Sequence, residues 1–266
     1  MSVKIVVVTH KQAPMPEGDL YLPLQVGKAL HPEVDLGIAC DNTGDNISAL
    51  NDKYCELTGL YWAWKNVDAD FIGLTQYRRV FASSGMVRAS SDQEKLRYAL
   101  SKSEAEELCA RSNLILPKPR NYYVKTLAGH FLGCSFAEED DIERFRASVG
   151  SVDQSYLPAF DEVMERTQGH MCNMFIMSHE LLNQYCPWLF AVMKDLDERL
   201  DPSRTRMLGY FAEHMLDIWA TKNMVPYREA NVLYLDTDNE IRKRIGYAFR
   251  LLGMKDASEK IVNRAK

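Results

Sequence analysis

An α/β fold, in which a mostly parallel sheet is sandwiched by helices, is what this sequence predicts. Three observations lead there. Residues 3–9 are a β-branched run of the kind that forms a strand buried on both faces. Strand-like and helix-like segments then alternate through the first half, the pattern of a three-layer parallel sheet. Residues 68–81 open as a short buried strand, with Phe71, Ile72 and Leu74 around Gly73, and pass into Thr75, Gln76, Tyr77, Arg78 and Arg79. A strand that leaves the core and ends in two arginines brings charge to the carboxyl edge, where ligands of open α/β sheets sit. Two guanidiniums suit a diphosphate, because the planar fork of Arg matches phosphate oxygens bidentately. A solvated arginine pair closing a strand is the plainer alternative.

Between these strands, residues 23–30 read as a short helix and residues 34–39 as a strand. Residues 41–48, Asp-Asn-Thr-Gly-Asp-Asn-Ile-Ser, dictate a turn whose side chains can cap the next helix. A calcium loop is excluded, since its sixth position is Asn46 rather than Gly and its twelfth is Asp52 rather than Glu. A helix is expected over 48–66, with Ile47, Leu50, Tyr54, Leu57, Tyr61 and Trp64 on its buried face. Trp62 lies off that stripe, open either to a ligand or to packing under a loop.

Residues 82–111 read as a polar excursion or lid, with a capping box at Ser103 and Glu106 opening a helix. A strand at 113–117 is followed by an acidic helix from 138, a helix over 156–166 and a strand over 169–177. A long helix to 200 precedes another from 204, whose core face carries Leu208, Phe211, Met215, Ile218 and Trp219 with Glu213 off it. Strand-like segments at 224–228 and 232–235 close a single domain, 1–238. The remainder, 239–266, is a basic tail. From Glu240 onward it has eight Lys or Arg against three acids, with Ile241, Ile245, Phe249 and Leu252 on one helical face. That suits either a helix lying on an anionic membrane or one packed on the domain.

Of the 266 residues 46% are hydrophobic and 26% charged, the composition of a soluble globular protein. A net charge of −5 argues against a nucleic-acid partner. The six cysteines have neither paired nor ligand-like spacing and read as reduced thiols. The opening strand is too short for a translocation signal, so a cytoplasmic protein is expected, peripheral at the inner membrane face if residues 240–266 bind lipid. There is no Gly-x-Gly-x-x-Gly after a strand, no Walker loop and no Gly-x-Ser-x-Gly, which removes the common dinucleotide, P-loop and hydrolase readings. No His, Cys or carboxylate set has metal-ligand spacing.

Six blocks, at 4–11, 41–48, 54–66 (Tyr-Cys-Glu-Leu-Thr-Gly-Leu-Tyr-Trp-Ala-Trp-Lys-Asn), 73–79 (Gly-Leu-Thr-Gln-Tyr-Arg-Arg), 173–177 and 185–190, resemble a bacterial family. It comprises capsular and exopolysaccharide biosynthesis proteins, regarded as glycosyltransferases of GT-A-like fold, some of which transfer galactofuranose. The resemblance spans roughly 3–228. It departs at Gln76, where the family more often has His, so no histidine at that position is essential here.

The resemblance implies transfer of a sugar from a nucleotide donor, a UDP-sugar by expectation, to a glycan or lipid-linked glycan acceptor, with no cofactor. A GT-A enzyme usually holds a metal with Asp-x-Asp at the end of a central strand. Here Asp68 and Asp70 precede the strand and sit at the wrong end, and fixed guanidiniums can neutralise the leaving diphosphate instead. The expectation is metal-independent, inverting transfer. Donor binding is expected at Thr9, His10, Lys11, Asp41, Asp45, Asn46, Gln76, Tyr77, Arg78 and Arg79. Acceptor or sugar binding is expected at Trp62, His130, His170 and Asn173, with His170 equally open to a structural role. Glu213 is the first choice for the general base, a solvated helix carboxylate being its alternative. A sugar-phosphate transferase and a non-catalytic sugar- or nucleotide-binding module are the competing functions.

Overall fold

A computed structural model gives the structure of residues 1–235 apart from Met86 and Ser90. The expected tail, 239–266, lies outside the described residues. The strands are β1 (Val3–Thr9), β2 (Tyr21–Gln25), β3 (Ala39–Cys40), β4 (Phe71–Gln76), β5 (Arg79–Ala82), β6 (Leu114–Pro117), β7 (Arg120–Asn121), β8 (Gln168–Gly169), β9 (Phe175–Ser178) and β10 (Arg228–Tyr234). The helices are α1 (Asn51–Tyr54), α2 (Leu57–Asn66), α3 (Asp92–Lys95), α4 (Lys102–Arg111), α5 (Leu127–Leu132), α6 (Asp141–Val152), α7 (Leu157–Glu165), α8 (His179–Arg199) and α9 (Met207–Lys222).

The fold is α/β, with a central mixed sheet flanked by helices. β3, β2, β1 and β4 are parallel neighbours in that order. Beyond β4 the sheet turns mixed: β9 is antiparallel to both β4 and β6, β10 is parallel to β6, and β5 is antiparallel to β10. β5 returns to β4 through a tight hairpin pairing Gln76 with Arg79. Pairings among β4, β9, β6, β10 and β5 thus run in a closed circuit. The carboxyl ends of β1, β4, β6 and β10 and the amino end of β9 therefore share one edge.

Burial explains the strands. Ile5, Val6 and Val7 of β1 and Ile72 of β4 are wholly inaccessible. Gly59 lets α2 approach β1, since a Cβ there would lie 2.5 Å from Val8 Cγ1. Phe131, Phe145, Phe160 and Phe211 gather α5, α6, α7 and α9 into a second, helical core.

Several local expectations are corrected. The expected helix at 23–30 is β2 followed by turns, because Pro23 and its neighbours pair in parallel with β1. The expected strand at 34–39 shrinks to β3. The lid is no lid: α4 packs on β1, β6 and β9, and Tyr21 Oη donates to Leu100 O at 2.7 Å. Its capping box is Ser101 with Glu104, two residues earlier than expected. The helix expected over 48–66 breaks at Cys55, whose φ of 49° lies in the left-handed region. Asn51 Nδ2 holds the break by donating to Cys55 O at 2.7 Å and Thr58 Oγ1 at 2.8 Å.

Candidate active site

Two groups of side chains meet at the carboxyl edge, around the β4–β5 hairpin. In the first, Thr9 shapes the turn after β1: its buried hydroxyl bonds Lys11 O at 2.6 Å and accepts from Lys11 N at 3.2 Å. This presents His10 and Lys11 to Tyr77. The His10 ring meets Tyr77 edge-on at 5.7 Å, Lys11 Nζ lies 5.5 Å from the Tyr77 ring, and the Arg78 guanidinium lies 5.3 Å from it. Arg78 Nε is buried without a hydrogen-bond partner. Burial lowers the proton affinity of His10, and the charges of Lys11, Arg78 and Arg206 lower it further. Arg206, at the amino end of α9 with φ of 65°, was not anticipated. Its backbone N–H donates to Asp52 O at 2.8 Å, which fixes it beside the helix break.

The second group is a relay around two carboxylates. Arg79 Nη1 donates to Gln76 Oε1 at 3.0 Å, and since Arg never accepts, this fixes the orientation of the Gln76 amide. Gln76 Nε2 then donates to Glu56 Oε1 at 2.8 Å and to Cys172 O at 3.1 Å. Asn173 Nδ2 donates to the same Glu56 oxygen at 2.9 Å and to Gly209 O at 3.1 Å. Burial raises the pKa of Glu56, while Asn173, Arg79 and Arg206 oppose the rise. Glu213 is pushed up to about 7, by burial first and then by the charge of Glu56, with Arg79, Arg120 and the Cys172 main chain pulling it down. Both residues are partly exposed. The arginines expected to act together are thus divided: Arg78, in the turn of the hairpin, lies beside Tyr77 and the cationic group, and Arg79, at the start of β5, serves the carboxylates.

Not every expected site residue arrives here. Asp41, expected to bind a sugar or nucleoside, is wholly buried. Its two oxygens accept from Gly27 N at 2.9 Å, Lys28 N at 3.2 Å, Ser48 Oγ at 2.5 Å and Thr58 Oγ1 at 2.7 Å, so it organises its own loop. Asp41→Asn turns an N–H₂ toward these donors and should cost on the order of 1–2 kcal/mol, read by urea unfolding. An unchanged unfolding midpoint would contradict that role.

Asp45, Asn46 and Trp62 belong to the same structural unit. Asp45 Oδ1 accepts from Tyr61 at 3.2 Å, Trp62 Nε1 donates to Thr43 Oγ1 at 3.0 Å, and Asn66 Nδ2 donates to Asp45 O at 2.8 Å. Asn46 bonds within its own turn, through Gly44 O and Ser48 N. α2 starts beside the site and ends at Asn66, roughly 15 Å farther along, so this loop is anchored toward the helix's far end. His130 is half-buried and stacked on Tyr122 at 3.7 Å, and burial drops its pKa to about 4. His170 is buried and bound to Asp217 and Glu229. Neither has the open setting expected of an acceptor-binding group.

The end of β4 does not carry the Asp-x-Asp with which GT-A enzymes usually hold a metal. Cations crowd the end of β4, and Asp70 stands at the opposite end, accepting from Ser2 N at 2.6 Å. Among the described residues one carboxylate trio, Glu138, Asp140 and Asp141, has ligand-like spacing. Arg204 already grips Asp141 at 2.7 and 2.8 Å, and Arg144 pairs with all three.

The architecture is that of a GT-A glycosyltransferase. It aligns with the apo structure of WbbM, a bifunctional glycosyltransferase, at a TM-score of 0.80 and 26% identity, over 89% of this chain. The chain spans 46% of the WbbM chain. Residues 4–224 match the family described as a domain of unknown function, DUF4422, and the chain belongs to that family. No curated protein matches it. Among the described residues no helix is long and apolar enough to cross a membrane.

Proposed function

We propose that this protein is a glycosyltransferase that moves a sugar from a nucleotide donor to an acceptor hydroxyl, with inversion and without a metal. The observation that carries the reading is Glu213, a carboxylate pushed up to about 7 by burial and by the charge of Glu56, beside a sheet edge that also bears Lys11 and Arg78. Lys11, Arg78 and Arg206 are placed to receive the donor diphosphate and to neutralise charge as it leaves. Glu213 takes the acceptor proton while the acceptor oxygen bonds the anomeric carbon and the sugar–phosphate bond breaks, its electron pair leaving with the nucleoside diphosphate. Two amides donate to Glu56 and favour its charged form against the pull of burial, and that charge raises the proton affinity of Glu213. The likeness to a glycosyltransferase and membership of the family support this reading. A UDP donor, a galactofuranosyl group and a capsular or exopolysaccharide acceptor are its finer parts and rest on the resemblance in the six sequence blocks.

The test is nucleotide release from a panel of sugar nucleotides, with and without EDTA. Turnover that survives EDTA is the expected result. Strict metal dependence would point to a sugar-phosphate transferase or a metal-bound donor, and binding without turnover to a non-catalytic module.

A further inference from the structure

Residues 169–173 lie along one stripe of α9 in a fixed, reversed register. Asn173 reaches Gly209 O, the Cys172 main chain lies near enough to Glu213 to lower its proton affinity, and His170 bonds Asp217. Gly209, Glu213 and Asp217 are successive fourth residues, so they share one helix face. The contact at the His170 end is the strongest. His170 Nδ1 meets Asp217 Oδ1 at 2.5 Å, and its backbone N–H donates to Asp217 Oδ2 at 2.9 Å. Glu229 of β10 closes the other side of the ring at 3.3 Å, and Tyr227 packs edge-on at 5.0 Å. Arg166 lies within charge range of Tyr227, and Asp217 also acts on His214. Burial opposes charge on His170, but Asp217 and Glu229 outweigh it and raise its affinity for a proton.

The far end of the segment is under strain: Cys172 and Asn173 have φ of 78° and 49°, conformations that non-glycine residues hold only when their surroundings impose them. That strained turn delivers the Cys172 carbonyl to Gln76, the Cys172 main chain to Glu213 and the Asn173 amide to Glu56. The geometry points to His170 as a positioning residue: its clip on Asp217 sets the register of 169–173 on α9 and thereby the setting of the Glu56–Glu213 pair. It touches no substrate. This rests on the reading of Glu213 as the base only for its effect on turnover, not for its effect on the carboxylate.

His170→Asn tests the inference, because its shorter amide keeps the site polar while removing the ring's contact with Asp217 and leaving only the backbone N–H of the clip. The titration of Glu213 is followed by carbon NMR in selectively labelled protein, alongside kcat, nucleoside diphosphate affinity and thermal stability. With the ring contact gone the Cys172 main chain draws back from Glu213, the charged form of that carboxylate loses stabilisation, and its proton affinity rises further. Turnover then falls roughly 10- to 100-fold, the scale of a misplacement near 1 Å, while nucleoside diphosphate affinity is kept. Unchanged Glu213 titration with a lowered melting temperature alone would reduce His170 to a stabilising contact and overturn the inference. Should His170→Asn fail to fold, Asp217→Asn, which retains one acceptor, must show the same upward shift or the inference fails. If the titration moves while Glu213→Gln keeps full turnover, the positioning role stands and the base assignment falls.

Discussion

Glu213→Gln leaves the protein folded and able to bind nucleoside diphosphate, and lowers turnover by roughly 10²–10⁴-fold, the usual worth of a positioned general base. The amide keeps the shape of the carboxylate, so the donor-side cations are undisturbed. The wild-type pH profile carries the same information. A base must be ionised to accept a proton, so kcat falls on the acid side with a limb near the Glu213 value of about 7. Glu56→Gln removes the like charge that raises that value, and the limb should move toward lower pH. Near-normal turnover in Glu213→Gln would place the base elsewhere.

Arg78→Ala weakens nucleoside diphosphate binding by about 1.5–3 kcal/mol, the range for hydrogen bonds to a charged group, or roughly 10- to 150-fold. Arg78 is singled out because its guanidinium lies beside Tyr77 in the group that includes Lys11 and His10. Such an arrangement is poised for an anion to complete it. Arg78→Lys should restore little, since a point charge on a flexible stem does not reproduce a planar fork. Calorimetric titration of UDP and of a second nucleoside diphosphate checks both variants, and unchanged affinity in Arg78→Ala would remove it from the donor site.

Much of the sheet was legible because β-branched and apolar runs declare buried strands; β1 and β4 form as the residues demand, and Arg78 stands at the edge where a strand leaving the core must put it. Glu213 was legible as a carboxylate off the apolar stripe of α9. Glu56 and Arg206 were not, and for a common reason. Each sits at or beside a non-glycine residue in the left-handed region, Cys55 and Arg206 themselves, and nothing in a cysteine or an arginine announces that conformation. The same holds for the Cys172–Asn173 turn. Backbone strain built the site at the points where sequence periodicity implies smooth continuation. The loop at 41–48 misled in the opposite sense. Its density of Asp and Asn suggested a ligand, whereas Asp41 is consumed by its own loop and Asp45 by Tyr61 and Asn66. Residues 23–30 failed as a helix because short apolar runs do not separate strand from helix by period alone.

The division of labour between adjacent arginines is tested most directly by titrating nucleoside diphosphate into Arg78→Ala and Arg79→Ala side by side, with turnover measured on both. Arg78→Ala should lose affinity. Arg79→Ala should bind nearly as wild type yet turn over slowly, because it frees the Gln76 amide and withdraws a cation from Glu56 and Glu213. Equal loss of affinity in both variants would mean that the two guanidiniums grip the diphosphate together, and would contradict a hairpin that separates donor binding from proton transfer.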